Sequence, residues 1–125
     1  MERNGQIDTE LFFSALADRT RLRLLNLMSD GEVCVCFFAE VLDANNPKIS
    51  RHLAYLRRAK LVAGRRDGKW MHYRVTPLSD DRLALVFEAT IDLLRNDPEM
   101  QEDSQKLAAF ACLPSMLVPI GRSII

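Results

Sequence analysis

No run in this 125-residue sequence is apolar and long enough to suggest a membrane span. The longest uncharged stretch, Leu107 to Gly121, is interrupted by Pro114 and Pro119 and falls short of the ~20 apolar residues that a spanning helix needs. Met1 to Glu10 is polar and lacks the apolar centre of a secretory leader, so a cytoplasmic location without membrane partners is the expectation. Cysteine is scarce. Three thiols in a reducing compartment do not make a disulfide framework, which leaves ligand, redox or plain core roles. There is no C-x-x-C beside a βαβ pattern, no recognisable Ser/His/Asp set, no paired-carboxylate motif and no cofactor-binding loop, which argues against an enzyme. The most uneven absence is of acid: from Asn46 to Thr76, nine Lys/Arg stand against a single acidic residue, Asp67.

Because the formal net charge is zero, a segment carrying +8 leaves −8 on the remainder. Segregation of this kind predicts a basic, nucleic-acid-facing surface on an otherwise acidic body. The length fits one domain, near the size at which dimerisation adds useful burial.

After a leader over 1–7 that is expected to be flexible, Leu11, Phe12, Ala15 and Leu16 give the stripe of a first helix. Asp18 suits the cap of a second, which carries Leu22, Leu25 and Met28 inward as far as Asp30-Gly31 and leaves Arg19, Arg21 and Arg23 in solvent. Glu32 to Cys36 alternates like a brief extended segment leading into a third helix. The run Asp43 to Asn46 reads as a turn, with Asn46 as N-cap and Pro47 as first residue of a fourth helix reaching about Ala59. Ile49, Leu53 and Leu56 share one face of that helix; Lys48, Arg51, Tyr55 and Arg58 fall opposite. Two helices around a short turn, the second one basic, form a helix-turn-helix.

Val62 to Val75 reads as a β-hairpin turning at Asp67-Gly68, a type I′ pair, with Arg65, Arg66 and Lys69 at its tip and His72 at its surface. A basic hairpin in that position is the wing of a winged helix. A long helix then follows Ser79 or Asp80 to about Asn96. Its stripe of Leu83, Val86, Phe87, Thr90, Ile91 and Leu94, widened by Ala84, Leu85 and Leu93, is too broad for a monomer and predicts a homodimer. A further helix is expected from about Glu99 to Leu113, then a tail to Ile125. The fold class is therefore mainly α with a small β-hairpin, a winged helix-turn-helix. The expected division is a flexible 1–7, a DNA-binding and dimerisation domain over 8–96, and a C-terminal helix and tail over 97–125.

The candidate DNA-binding residues are Asn46, Lys48, Ser50, Arg51, His52, Tyr55 and Arg58 on the reading helix and Arg66 and Lys69 on the wing; His52 equally suits a core-capping role. A merely solvated amphipathic helix is the bland alternative, and the acid-poor hairpin behind it argues the other way. Cys34-Val35-Cys36 gains weight from its position. Residues two apart point about 200° from each other in an ideal helix but to the same side of an extended segment, so a soft ion held by both thiols would favour a local geometry different from the free helix. A helix N-terminus also favours thiolate.

Leu16-Ala17-Asp18-Arg19-Thr20-Arg21-Leu22, Glu32-Val33-Cys34-Val35-Cys36, Pro47-Lys48-Ile49-Ser50-Arg51-His52-Leu53 with Leu56-Arg57, and Gly68-Lys69-Trp70 followed by His72-Tyr73-Arg74 together resemble the ArsR/SmtB family of winged-helix repressors. Within it they are most similar to the arsenite-responsive members, over roughly Phe12 to Pro77. The resemblance implies a homodimer on an inverted-repeat operator, with no permanently bound cofactor, released when As(III) or Sb(III) binds Cys34 and Cys36. Such members often carry a third cysteine where this chain has Ala39. Either the pair suffices, with a water or small thiol completing the site, or Cys112 supplies the third sulfur. Cd/Pb/Zn-sensing relatives use an added N-terminal cysteine or Asp/His/Glu pairs on the dimer helix, and neither pattern occurs here. Thiol-redox sensing and Cd/Pb/Zn sensing remain the alternative readings, and inert packing of the thiols the bland one.

Overall fold

The computed structural model describes residues 8–111 and contains six helices and a small sheet. The first two helices, α1 (Thr9–Leu16) and α2 (Arg19–Leu27), are each opened by an aspartate: Asp8 accepts from Leu11 N–H at 3.1 Å and Asp18 from Arg21 N–H at 3.0 Å. β1 (Val33–Cys34) runs straight into α3 (Val35–Leu42), which Asp43 ends in the left-handed region at φ 53°. Next comes α4 (Asn46–Arg58), with Ile49, Leu53 and Leu56 buried as its periodicity requires. Its cap differs from the expected one. Asn45, not Asn46, accepts from Lys48 N–H at 2.8 Å, which moves Pro47 to the second helical position, where its missing N–H is again one of the unpaired first-turn donors.

β2 (Val62–Asp67) and β3 (Trp70–Val75) form the hairpin, and β1 joins its other side to give the antiparallel order β1-β3-β2. Asp67 pairs with Trp70, so the loop residues are Gly68 and Lys69. Gly68 has φ 63° and Lys69 is not in the positive-φ region, the signs of a type II′ turn in place of the expected type I′. The third strand also overturns the surface placement of His72. With β3 central, His72 lies across from Cys34 on one side and Arg65 on the other and is 0% exposed.

α5 (Asp81–Arg95) is capped by Asp80, and α6 (Pro98–Ala111) starts beside Asp97, whose carboxylate accepts from the N–H groups of Glu99 and Met100. α6 lies along α2 and touches α3. The contact is polar at its centre. Asp103, 1% exposed, accepts from Arg23 Nε at 2.8 Å and Nη2 at 2.9 Å, and buried Asn26 donates to Met100 O and Ser104 Oγ. Arg19 adds bonds to Asp97 and Glu99. The arginines of α2 expected in solvent are thus largely engaged, because α6 brings acids to them. No helix among the described residues is long and apolar enough to cross a membrane.

Removing one partner of a buried pair strands the other charge. Arg23→Ala is therefore expected to lower stability by about 3 kcal/mol, read as a drop in the urea midpoint at unchanged slope; an unchanged midpoint would show the clasp to be unimportant.

Candidate DNA interface and thiol site

The basic face of α4 follows from its helical phase: with Ile49, Leu53 and Leu56 inward, Lys48, Ser50, Arg51 and Arg58 are left exposed, together with Asn46 at the start. Tyr55 and His52 are half-buried instead. Arg21 of α2 accounts for both. Its guanidinium carbon lies 4.0 Å from the Tyr55 ring centroid, with that of Arg58 at 4.8 Å, while its nitrogens bond the carbonyls of Ala15 and Ser14. Arg21 Nη1 is also 3.3 Å from His52 Nδ1, and Asp18 Oδ1 is 3.8 Å from that nitrogen. Burial is the largest influence on His52 and, against the pull of Asp18, holds its pKa below the usual value, so the neutral ring can accept from Arg21. Arg21 was not among the candidates from sequence; its repeated carbonyl contacts across two helices have no local signature.

On the wing, Arg66 and Lys69 are exposed, and Lys69 Nζ sits 5.7 Å from the Trp70 ring centroid. Arg65 is tied back: its nitrogens reach Glu32 at 2.8 and 2.7 Å, and this contact holds the Glu32 carboxyl below its ordinary range. Lys48, Arg51 and Arg58 of α4 and Arg66 and Lys69 of the hairpin are thus left exposed, while Arg65 is diverted to pin β2 against the approach to β1.

The thiols meet at the strand-helix junction. Cys34 is the last residue of β1 and the N-cap of α3, with φ −69° and ψ 140°, while Cys36 is already helical. The 200° separation of an ideal helix therefore never arises, and the two Sγ atoms are 3.4 Å apart. That differs from the expectation that a shared ligand must distort the helix start: the bite is formed beforehand. Cys34 is 0% exposed and Cys36 half-buried, so access is from the Cys36 side.

The Cys36 S–H donates to Cys34 and, against burial, lowers the Cys34 pKa to about 7; the same contact, with burial, pushes Cys36 up. One thiolate beside one thiol suits a soft, thiophilic ligand that takes two sulfurs. Among the described residues no set of three His, Cys, Asp or Glu side chains is grouped for a metal ion, and Cys112 lies outside the described residues. In a Cys112→Ser background, ultraviolet titration is expected to show one thiolate appearing as pH rises through about 7. Cys36→Ala should move that midpoint upward; an unmoved midpoint would remove the hydrogen bond as its cause.

The family described as bacterial regulatory protein, arsR family, matches residues 18–63, which run from the cap of α2 into β2. The arsenical resistance operon repressor of Escherichia coli is 53% identical over 66 residues, 52% of this chain and 56% of that protein, so the match spans little more than half of its length. The arsenic resistance transcriptional regulator ArsR1 of Pseudomonas putida is 37% identical over 99 residues, 78% of this chain and 76% of the relative. Among solved structures, HlyU from Vibrio cholerae superposes with a TM-score of 0.58 at 28% identity, covering 70% of this chain and 87% of that one. With identity sustained along three quarters of a relative and the matched helices standing beside a wing, this chain belongs to the ArsR/SmtB family of winged-helix metalloregulators.

Proposed function

We propose that this protein is a dimeric repressor that binds an inverted-repeat operator and releases it when As(III) or Sb(III) joins Cys34 and Cys36. The observation that carries the reading is the 3.4 Å thiol pair at the start of the helix preceding α4. Residues 8–96 supply DNA binding and dimerisation, with α6 as a buttress behind α2. Asn46, Lys48, Ser50 and Arg51 enter the major groove, Arg58 braces it, and Tyr55 and His52 set the shape of the surface from below. Arg66 and Lys69 hold the backbone from the wing.

Induction acts through α3. A ligand seated on a buried and a half-buried sulfur adds volume at the helix start, and α3 passes the displacement to α4 through the short turn over 43–45. Lowering operator affinity a thousandfold needs roughly 4 kcal/mol of coupling. Cys112 is an open third donor. Because the sulfurs touch, two-electron oxidation to a disulfide is the second reading, and a reducing buffer separates the two.

Dimerisation rests on α5. Leu85 is 67% and Leu93 70% exposed, Val86 lies beside them, and Phe13 of α1 is also exposed. An apolar face of that extent on a soluble helix calls for a partner. Leu93→Glu is expected to give a monomer in sedimentation, with operator affinity lost; a dimer that survives would place the interface elsewhere.

On a duplex selected from a random-sequence pool, Arg51→Ala should cost about 1–3 kcal/mol at cognate bases. Lys69→Ala should weaken all sequences alike and reduce the salt slope by about one. Arsenite under reducing conditions should release the parent but neither Cys34→Ser nor Cys36→Ser. Release of either variant, or oxidant-only release of the parent, overturns the metalloid reading.

A further inference from the structure

We propose that Glu32 is a positioning residue for DNA: by drawing Arg65 across the sheet it fixes the wing and withholds one cation from the phosphates, so that binding depends more on sequence and less on bulk charge. The inference rests on the reading of this protein as a DNA-binding repressor.

The strand register shows what the contact spans. Cys34 of β1 lies across from His72 of β3, and Arg65 of β2 lies across from His72 on the other edge. Residues directly opposite in an antiparallel ladder send their side chains to the same face, so these three form one row. Glu32 stands two residues before Cys34, which is the same side of an extended segment. Its carboxylate accepts from Arg65 Nε at 2.8 Å and from Nη2 at 2.7 Å. The pair therefore straps the outer two strands together over the central one, and His72, between them in the row, is buried. Asp67 Oδ2 holds the same guanidinium at 3.4 Å.

The strap has little competition. β1 joins the hairpin through Val33 and Cys34 alone, and β2, on the far side of β3, has no ladder with it. A bidentate, charge-assisted pair adds a directional tie where the backbone supplies none.

Arg65 is chemically as able to grip a phosphate as its exposed neighbour Arg66. What keeps it from DNA is the asymmetry of the pair. The Arg65 side chain is 45% exposed and that of Glu32 only 16%. Turning Arg65 outward would exchange one bidentate acceptor for another and leave a largely enclosed carboxylate uncompensated, with the negative charge of the duplex drawn toward it. Without that carboxylate the balance reverses. Arg65 is then released to any phosphate, a contact that carries no sequence information, and the wing is free to shift with it.

The test measures binding of the full chain to two labelled duplexes by fluorescence anisotropy over a series of potassium chloride concentrations. One duplex is selected by the parent from a random-sequence pool; the other is a scrambled sequence of equal length. Glu32→Gln is expected to steepen the salt dependence on the scrambled duplex by about one per subunit, as one more cation displaces counterions. Its preference for the selected duplex should fall about tenfold. Arg65→Gln should lower the preference too but leave the slope as it is, because that guanidinium is not on DNA in the parent. Combining the two substitutions should return the slope to that of the parent, which identifies Arg65 as the added cation. General loosening of the fold weakens binding to both duplexes and does not steepen the slope. A slope for Glu32→Gln equal to that of the parent overturns the proposal, and so does a slope for Arg65→Gln that is shallower by about one per subunit. If far-ultraviolet circular dichroism shows Glu32→Gln unfolded, the Arg65→Gln slope decides alone. A parent that retains no duplex from the pool overturns the DNA-binding reading itself, and the proposal with it.

Discussion

Val33 and Cys34 pair with Tyr73 and His72, and through that two-residue ladder the wing is joined to the start of the third helix. Buried backbone donors and acceptors must find partners, and for this segment the sheet supplies them. The consequences spread from there. Cys34 is held extended, so it caps α3 from outside and its sulfur falls on the same side as that of Cys36. β3 becomes a central strand, so His72 is enclosed and the hairpin is fixed at its base while its tip stays free. Without the ladder the thiols would belong to a helix and point apart, and the wing would have no fixed place relative to α4.

A division among the basic residues follows the same logic of partners. Arg19, Arg23 and Arg65 are engaged by carboxylates, and Arg21 by carbonyls and an aromatic ring, so they serve to hold α6, the hairpin and α4 in place. Lys48, Arg51 and Arg66 have no ion pair among the described residues. Charge left uncompensated on α4 and the hairpin tip, while neighbouring charge is neutralised internally, is the charge that remains available to a polyanion. The +8 of the 46–76 segment thus overstates the free charge, since Arg65 is already paired.

The helices, the hairpin and the inward face of α4 were legible because each has a local cause: Asp8, Asp18 and Asp80 as caps, a 3.6-residue stripe, a glycine at the turn. The errors have local and long-range sources. Asn45 and Asn46 are equally good caps by type, and only the bond to Lys48 N–H decides between them. The turn type was misjudged because Asp67 extends the ladder by pairing with Trp70. His72 and Arg23 were misplaced because Cys34 and Asp103 stand far from them in the chain, and Arg21 because it bonds His52, 31 residues on, as well as the carbonyls of the preceding helix, contacts that no spacing rule encodes. The candidate surface of α4 and the wing could be named from sequence; the braces beneath it could not.

A preformed thiol pair changes what an inducer has to accomplish. If bringing the sulfurs together were the switch, the free protein would hold them apart, and closing the gap would itself move α3. Here they are already in contact, so binding spends little on arranging them, and that favours affinity. Affinity alone shifts no equilibrium, because a ligand that binds both conformations equally leaves their ratio unchanged. If the inducer is a thiophilic ion held by both sulfurs, as proposed above, the coupling would come from what that grip adds to the contact: loss of the S–H bridge and the bulk of the ion between a sealed and a half-open sulfur. Cys34 is held by the ladder at His72, so on that reading displacement would be directed along α3 toward the turn before α4. On the same reading, the rigidity that holds the thiol pair would also keep the strain from dissipating before it reaches α4.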